Sequence, residues 1–189
     1  MSTVPSLKLT QAAPEVACQL IGSILIRDFS DGTSVGGVIV ETEAYAAHEA
    51  ASHSHGRRTE RNAPMFMRAG TIYIYRSYGI HLCMNIVVGH EDGQAVLIRA
   101  LQPTMGLERM RALRGVEADQ MLCSGPGRVG QALGIELHWS GKHLSELPVR
   151  LVAKANNGRI ESRQRIGISR AQELPWRFVL AGSAYLSRP

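Results

Sequence analysis

The sequence predicts an α+β fold, a single mixed domain with an antiparallel sheet, flanking helices and a protruding β-hairpin. Three strand patterns follow one another between residues 71 and 100 with only short turns between them, as in an antiparallel meander. Helical patterns lie beside the strands instead of alternating with them, which favours α+β over α/β. The 189 residues, of which 44% are hydrophobic and 20% are charged, match one globular domain over residues 1–189 with a single core.

The predicted strands are short apolar runs or alternating segments, each bounded on both sides by residues typical of turns. In chain order they cover residues 23–27, 37–43, 71–75, 81–88, 95–100, 149–153, 165–169 and 177–180. Asp-Gly pairs mark the turns before the second and the fifth strand. The sequence Arg76-Ser77-Tyr78-Gly79 separates the third strand from the fourth, so it is predicted to form the tip of the hairpin.

Three helices are predicted from capping residues and apolar stripes. Thr10 is suited to cap a helix over residues 10–19. A second helix is predicted to start at Pro103 and to end at Gly115, because apolar residues recur along one stripe of it. A third covers residues 124–133 and begins with Ser-Gly-Pro-Gly. Segments that show neither the helical nor the strand periodicity are predicted to be irregular. They are a loose tail over residues 1–9 and a surface loop over residues 46–62.

The net charge of +5 and the isoelectric point near 9.4 come mainly from arginine, which supplies 18 of the 21 basic residues. The planar guanidinium suits phosphates and base edges, so the composition favours a polyanionic partner. Three cysteines without a repeated spacing argue against a disulfide framework or a cysteine zinc site. No signal peptide or membrane span is apparent, so the protein is predicted to be intracellular, in the cytoplasm or, in a eukaryote, the nucleus, without a membrane partner.

The strand over residues 37–43 ends in two acidic residues. Because side chains alternate across a strand, Glu41, Glu43 and Tyr45 share one face. Two carboxylates on one face are common on a solvated sheet edge. This strand begins with Val38-Ile39-Val40, however, which is typical of a central strand. A carboxylate beside an apolar wall is a candidate general base for activating water.

Four of the five tyrosines lie between residues 45 and 78. Tyr73 and Tyr75 share a strand face, so they either pack in the core or form an aromatic slot that stacks a planar ligand. Tyr78 lies at the predicted hairpin tip, with Arg68 and Arg76 close to it in sequence. An aromatic side chain at such a tip is suited to wedge between base pairs.

The histidines raise the question of a metal site. His53 and His55 form a His-x-His pair, but the other ligands of a recognisable spacing are missing, so no metal is predicted. His81, Asn85 and Arg99 lie on neighbouring predicted strands and form a polar cluster if these strands pair. Such a cluster is either an ordinary hydrogen-bond network or part of a site.

Eight motifs occur in order along nearly the whole chain. They are residues 39–45 (IVETEAY), 51–53 (ASH), 56–66 (GRRTERNAPMF), 70–75 (GTIYIY), 78–79 (YG), 83–85 (CMN), 95–100 (AVLIRA) and 122–127 (LCSGPG). Together they resemble the alkyladenine (3-methyladenine) DNA glycosylase family of mammals and many bacteria. The resemblance implies a single mixed domain with a curved antiparallel sheet, and neither a metal nor an organic cofactor.

The resemblance also implies a role for individual residues. Glu43 matches the general base, and Arg99 and the backbone near Ile166 match further groups that hold the attacking water. The residues that match the base pocket are Tyr45 and His53 on one face of the extruded base, Tyr75 on the other, His81, and Asn85, which guards against the amino group of guanine. Tyr78 matches the side chain that intercalates in the duplex. The segment between Tyr45 and His53 is one residue shorter than the usual pattern, which leaves His55 as an alternative to His53.

The implied activity is excision of alkylated or deaminated purines from double-stranded DNA by a monomer, without strand cleavage. Contacts to the phosphate backbone are predicted for Arg57, Arg58, Arg61, Arg68, Arg76 and Arg128. Two alternatives stay open: a metal-dependent nuclease or hydrolase that uses Glu41, Glu43, His53 and His55, and a basic module that binds nucleic acid without catalysis.

Overall fold

The computed structural model describes residues 7–90, 92–153 and 158–188. Within them lie eight strands, β1 (Ile24–Asp28), β2 (Ser34–Tyr45), β3 (Ile72–Ser77), β4 (His81–Val88), β5 (Gln94–Met105), β6 (Val149–Val152), β7 (Ile160–Arg163) and β8 (Arg177–Leu180). The α-helices of these residues are α1 (Ala13–Leu20), α2 (Leu107–Arg114), α3 (Asp119–Leu122) and α4 (Pro126–Ala132), and none is long and apolar enough to cross a membrane. The predicted α+β class with a curved antiparallel sheet is confirmed.

β2 occupies the centre of the sheet, whose strand order is β3-β4-β5-β2-β1-β6. On one side β2 pairs with β5 along most of its length. On the other side its first half pairs with β1, whereas residues 41–43 pair with β8, which in turn pairs with β7. The end of β2 that carries Glu41 and Glu43 is therefore enclosed by a strand on each side, and the solvated-edge alternative for these residues is wrong.

Three register shifts interrupt the pairing of β2 with β5, one between Gly36 and Gly37 and two on either side of Glu41. Ile39 faces Leu101 and Glu41 faces Ala100, so Val40 has no opposing residue. Thr42 then faces Ile98, so Arg99 has none either. A bulge re-aims the side chain of the extra residue and increases the local twist. From this irregular stretch the side chain of Arg99 reaches the carboxylates of β2.

The main core lies between one face of the sheet and the helices. α1 contributes Val16 and Leu20 to it, and α4 contributes Val129. On α4, Gly130 lies so close to the carbonyl oxygen of Leu82 that there is no space for a Cβ. A smaller cluster on a different part of the molecule contains Met65, Tyr73, Val87 and Ala95, and Phe66 and Tyr75 pack against it.

The N-terminal predictions are only partly correct. α1 begins at Ala13 and no side chain caps it, so the predicted cap by Thr10 is wrong. Proline is favoured in the first helical turn because its fixed φ is preorganised and its missing N–H would have no partner there, and Pro14 takes this place. Of the predicted loose tail, Leu7 and Leu9 pack against the main core, and residues 1–6 lie outside the described residues.

The helix predicted from Pro103 begins later, because β5 continues to Met105. Pro103 pairs with Gly37 and Met105 with Gly36, so pairing with β2 outweighs the local helix signal. Gly106, with φ of +68°, then turns the chain into α2. The strand predicted at residues 165–169 is also wrong: this segment is a loop, and β7 precedes it.

Candidate active site

The carboxylate of Glu43 has no exposed surface and receives three hydrogen bonds. The Tyr45 hydroxyl donates to Oε2 over 2.7 Å, and Arg99 Nη1 donates to the same oxygen over 3.2 Å. The backbone N–H of Ile166 donates to Oε1 over 2.7 Å. A carboxylate offers about four acceptor positions, so with the described residues counted one position is left, on Oε1.

Tyr45 is held as a hydrogen-bond donor. Burial, together with the neighbouring Glu43 carboxylate, raises the pKa of the Tyr45 hydroxyl well above its usual value. The phenol therefore keeps its proton at neutral pH and donates it to Glu43.

Glu41 is equally buried but binds a different set of donors. Arg99 Nε and Arg177 Nε donate to its Oε1 over 3.0 and 2.9 Å. Ser187 adds its hydroxyl to Oε1 over 2.8 Å and its backbone N–H to Oε2 over 2.6 Å. The two guanidiniums and the two carboxylates of Glu41 and Glu43 thus form a buried network in which the formal charges balance.

A cavity of about 590 Å³ opens beside this network, within the range of about 300–1,000 Å³ that small-ligand sites occupy. The three donors to Glu43 (Tyr45, Arg99 and Ile166) all line it, whereas Glu43 itself does not. The carboxylate therefore lies directly behind the cavity wall. Tyr73, Tyr75 and Tyr78 line the cavity as well, so the structure brings the four clustered tyrosines together.

His53 lies at this cavity and His55 does not, which separates the two histidines that the sequence left open. His53 Nδ1 is 2.9 Å from the Tyr73 hydroxyl, and its ring meets the Tyr75 ring edge to face with centroids 4.5 Å apart. His55 Nδ1 instead lies 3.1 Å from the carbonyl oxygen of Ala47. The rings of His53 and Tyr75 are in contact, so in this structure they leave no gap for a planar ligand between them.

Of the two residues predicted on β4, Asn85 lies in the cavity wall and His81 does not. Asn85 is buried, and its Nδ2 donates to the carbonyl oxygen of Tyr73 over 3.1 Å. His81 is exposed and lies against Gly127 of α4. The first residue of β4 thus packs toward α4 and lies outside the cavity wall, and the predicted part of His81 in the base pocket stays a prediction.

Tyr78 lies at the tip of the hairpin between β3 and β4, as predicted. Its side chain is 92% exposed, and its backbone has a φ of +50°, a left-handed conformation that is uncommon for a residue other than glycine. Ile80, next to it but one, is 69% exposed. The hairpin thus holds two large apolar side chains in solvent at the edge of the cavity.

The predicted backbone-contact arginines differ in their surroundings. Arg57, Arg61 and Arg76 are exposed, and the guanidinium of Arg58 lies 5.9 Å from the centre of the Phe66 ring. Arg68 pairs with Glu146 over 3.5 Å. Arg128 donates to the Ser124 hydroxyl over 2.8 Å. Arg170 and Arg188 also line the cavity, although no motif in the sequence pointed to either residue.

A buried pair of Arg165 and Glu49 supports the site, and no motif or periodicity in the sequence indicated it. Arg165 binds both carboxylate oxygens of Glu49, over 2.7 and 3.0 Å, and the carbonyl oxygen of Ala44 over 3.0 Å. Its guanidinium also lies 4.8 Å from the centre of the Tyr45 ring. These contacts join the loop that carries Ile166 to the predicted surface loop, part of which is buried.

No group of three or more His, Cys, Asp or Glu side chains in the described parts of the chain is arranged to hold a metal ion. The set proposed for the metal-dependent alternative is divided: Glu41 binds two arginines, and His55 lies outside the cavity.

Comparison with known proteins agrees with this geometry. Residues 8–184 match the model of the methylpurine-DNA glycosylase family. A protein of Rhizobium meliloti (strain 1021), named as a 3-methyladenine DNA glycosylase, is 49% identical over 178 residues, which cover 94% of this chain and 92% of that protein. A protein of Nitrosospira multiformis with the same name is 47% identical over 188 residues, which cover 98% of this chain and 94% of that protein.

The matched relatives and the α+β domain define the class of this protein: it is a hydrolase of the DNA N-glycosylase type, an enzyme of DNA repair. Within this class, the chain belongs to the methylpurine-DNA glycosylase family. The resemblance that the eight motifs indicated is therefore confirmed.

The environment of His53 yields a prediction for its titration. Although His53 is partly exposed, the partial burial of its ring lowers its pKa, and the nearby positive charge of Arg61 lowers it further. In an NMR titration we expect a midpoint below the ordinary value of about 6.5, so the ring is neutral at pH 7. Arg61→Gln should raise the midpoint, whereas Arg68→Gln, which removes an arginine paired with Glu146, should not. A midpoint at or above the ordinary value would contradict this environment.

Proposed function

We propose that this enzyme removes alkylated or deaminated purines from double-stranded DNA, in the class of 3-methyladenine, 7-methylguanine, hypoxanthine and ethenoadenine. It hydrolyses the N-glycosidic bond and leaves an abasic site. The observation that carries the proposal is the position of Glu43, which Tyr45, Arg99 and Ile166 hold directly behind the wall of a tyrosine-lined cavity. The names of the relatives, which specify 3-methyladenine, support the substrate class.

In the proposed complex the damaged nucleotide leaves the duplex, because a stacked base is out of reach of a buried carboxylate. Tyr75 stacks on one face of the base, and Tyr45 and His53 stack on the other. An alkylated purine carries a positive charge, which favours contact with electron-rich rings. Because the rings of His53 and Tyr75 touch in the structure, the base enters only when one of them moves, and we assign this movement to the exposed His53.

We assign to Asn85 the exclusion of undamaged guanine. Its hydrogen bond to the Tyr73 carbonyl fixes the amide in the cavity wall. A fixed side chain at this place leaves less room for the exocyclic 2-amino group of guanine, which adenine and hypoxanthine lack. 7-Methylguanine carries the same group, so we expect it to be released most slowly among the proposed substrates.

The chemical step is assigned to Glu43. As the bond between C1′ and the purine nitrogen breaks, its electron pair leaves with the base and the sugar becomes oxocarbenium-like. A cationic alkylated purine leaves as the neutral base, whereas a neutral purine such as hypoxanthine takes up a proton from solvent as it leaves. The negative charge of Glu43 stabilises this cation. The open acceptor position on Oε1 orients a water molecule and takes its proton while the water oxygen bonds to C1′. Arg99, which lines the cavity and binds Glu43, holds the carboxylate in this orientation.

The proposed reaction is monofunctional, with water as the nucleophile. A lyase step needs an amine that attacks C1′, and neither Lys8 nor Lys142 lines the cavity. The third lysine, Lys154, lies outside the described residues. All the groups used in the mechanism come from one chain, so we propose that the monomer is the active form.

Replacing the carboxylate is the sharpest test. Glu43→Gln keeps the shape of the side chain but removes the charge and the proton acceptor, so we expect release of hypoxanthine and of 3-methyladenine to fall by about 100-fold or more. Binding of a lesion-containing duplex should persist. Single-turnover assays of free base measure the first effect, and gel shifts measure the second.

Two controls accompany this test. Glu117→Gln changes an exposed carboxylate and should leave the rate unchanged. A chelator added to the wild-type enzyme should have no effect, whereas loss of activity would favour the metal-dependent alternative. Base release by Glu43→Gln at the wild-type rate would contradict the mechanism, and DNA binding without any base release by the wild type would favour the non-catalytic module.

The hairpin tip yields a second prediction. Base–aromatic stacking contributes about 1–3 kcal/mol, so Tyr78→Ala should weaken binding of a lesion-containing duplex by about ten-fold or more. Tyr78→Phe keeps the ring and should bind like the wild type. Because the side chain is 92% exposed, neither variant should lower the melting temperature. Unchanged lesion binding by Tyr78→Ala would show that the ring does not enter the duplex.

The phosphate contacts are tested by salt dependence. Each lost phosphate contact lowers the slope of log K against log salt by about one. Arg76, on β3 beside the hairpin tip, should show this loss in Arg76→Gln. Arg150 lies on β6 at the opposite end of the sheet order and pairs with Asp28 over 2.6 Å, so Arg150→Gln should keep the wild-type slope. Equal slopes for the two variants would place the DNA elsewhere.

A further inference from the structure

Ser187 contacts the buried network although it is far from it in sequence. It follows β8 by seven residues and lies beyond residues 8–184, which match the family model. The chain turns after β8 and returns to the end of β2. Two anchors hold it there: the Ser187 N–H donates to Glu41 Oε2 over 2.6 Å, and the Arg188 carbonyl oxygen accepts from Arg177 Nη2 over 2.7 Å.

The hydroxyl of Ser187 bridges a carboxylate and a guanidinium of this network. It donates its proton to Glu41 Oε1 over 2.8 Å and accepts a hydrogen bond from Arg99 Nη2 over 3.2 Å. A hydroxyl has one proton and two lone pairs, so both contacts are made at once. An alanine at this position can make neither contact.

These contacts decide how the Arg99 guanidinium is oriented. The group is planar and rigid, so two contacts in its plane fix the direction of its remaining N–H bonds. Glu41 holds Nε over 3.0 Å, and Ser187 holds Nη2 at the far end. Nη1 lies 3.2 Å from Glu43 Oε2, and this is the contact that reaches the proposed general base.

We propose that Ser187 is a positioning residue for base excision: it fixes the Arg99 guanidinium so that Nη1 holds Glu43 in its reactive orientation. This rests on the proposed function. Ser187 reaches the Glu43 carboxylate only through Arg99, and it does not line the cavity. Its loss should therefore slow the chemical step and leave recognition of the damaged base unchanged.

The test compares single-turnover base release with lesion binding. Hydrogen bonds to charged groups are among the stronger ones, so Ser187→Ala should lower the rate of hypoxanthine release by about ten-fold. Affinity for a hypoxanthine-containing duplex should not change. Ser187→Thr keeps the hydroxyl and should restore most of the rate. Ser145→Ala removes an exposed hydroxyl that contacts His143 and should have no effect.

A second measurement reports on Arg99 without using activity. The Nε–H of Arg99 is buried against Glu41, so its NMR signal, assigned by its loss in Arg99→Lys, should exchange slowly with solvent in the wild type. In Ser187→Ala this exchange should be faster. If Ser187→Ala melts at a much lower temperature, Ser187→Cys is used in its place. The thiol is a weaker donor of similar size, so the rate of Ser187→Cys should lie between those of Ser187→Ala and the wild type.

The outcomes separate this proposal from the proposed function. Slower release, unchanged lesion affinity and faster exchange of the Arg99 signal support the positioning role. Wild-type release by Ser187→Ala, or an unchanged Arg99 signal, overturns the role and leaves the proposed function intact. The role is also overturned if Ser187→Ala loses lesion affinity in proportion to its loss of rate, or if Ser187→Thr does not restore the rate. Absence of base release by the wild type overturns the proposed function and the role of Ser187 with it.

Discussion

The buried ion pairs of Arg99 with Glu41 and Glu43 are the interaction on which the site depends. Burying ions costs several kcal/mol for each ion and is offset only when good geometry and further hydrogen bonds satisfy every group. Removing one partner of such a network costs about 3–5 kcal/mol, because it leaves an unpaired charge in the interior. The other donors to the two carboxylates are Tyr45, Arg177, Ser187 and the backbone of Ile166. The segments that carry these donors are thus held by the contacts that also build the site.

The sheet topology makes this network possible. Residues 41–43 of β2 lie between β5, which brings Arg99, and β8, which brings Arg177. At the irregular stretch of this pairing Arg99 has no opposing residue, and its side chain reaches both carboxylates. The enclosed end of β2 buries both carboxylates, and the cavity lies against Tyr45, Arg99 and Ile166, which are the three groups that bind Glu43. The buried Glu43 carboxylate is therefore separated from the open cavity by the thickness of one side chain.

Local pattern predicted strands well where strands pair with their neighbours in sequence. The meander of β3, β4 and β5 lies where the alternation of residues 71–100 placed it. Prediction failed where distant contacts decide. The residues from Pro103 predicted a helix, but they form a strand because Pro103 pairs with Gly37. Residues 165–169 predicted a strand, but they form a loop in which Arg165 binds Glu49 and the Ile166 N–H binds Glu43.

The sequence alone determined the fold class, the shared face of Glu41, Glu43 and Tyr45, and the exposed ring of Tyr78, because a two-residue period and a turn are local properties of the chain. The motif resemblance added the family and the expected place of Ile166. Only the tertiary structure placed His53 and not His55 at the cavity, left His81 outside the cavity wall and brought Ser187 to Glu41. Those outcomes depend on loops and on the return of the chain after β8, and the partners of Ser187, which are Arg99 and Glu41, lie more than 80 residues away from it.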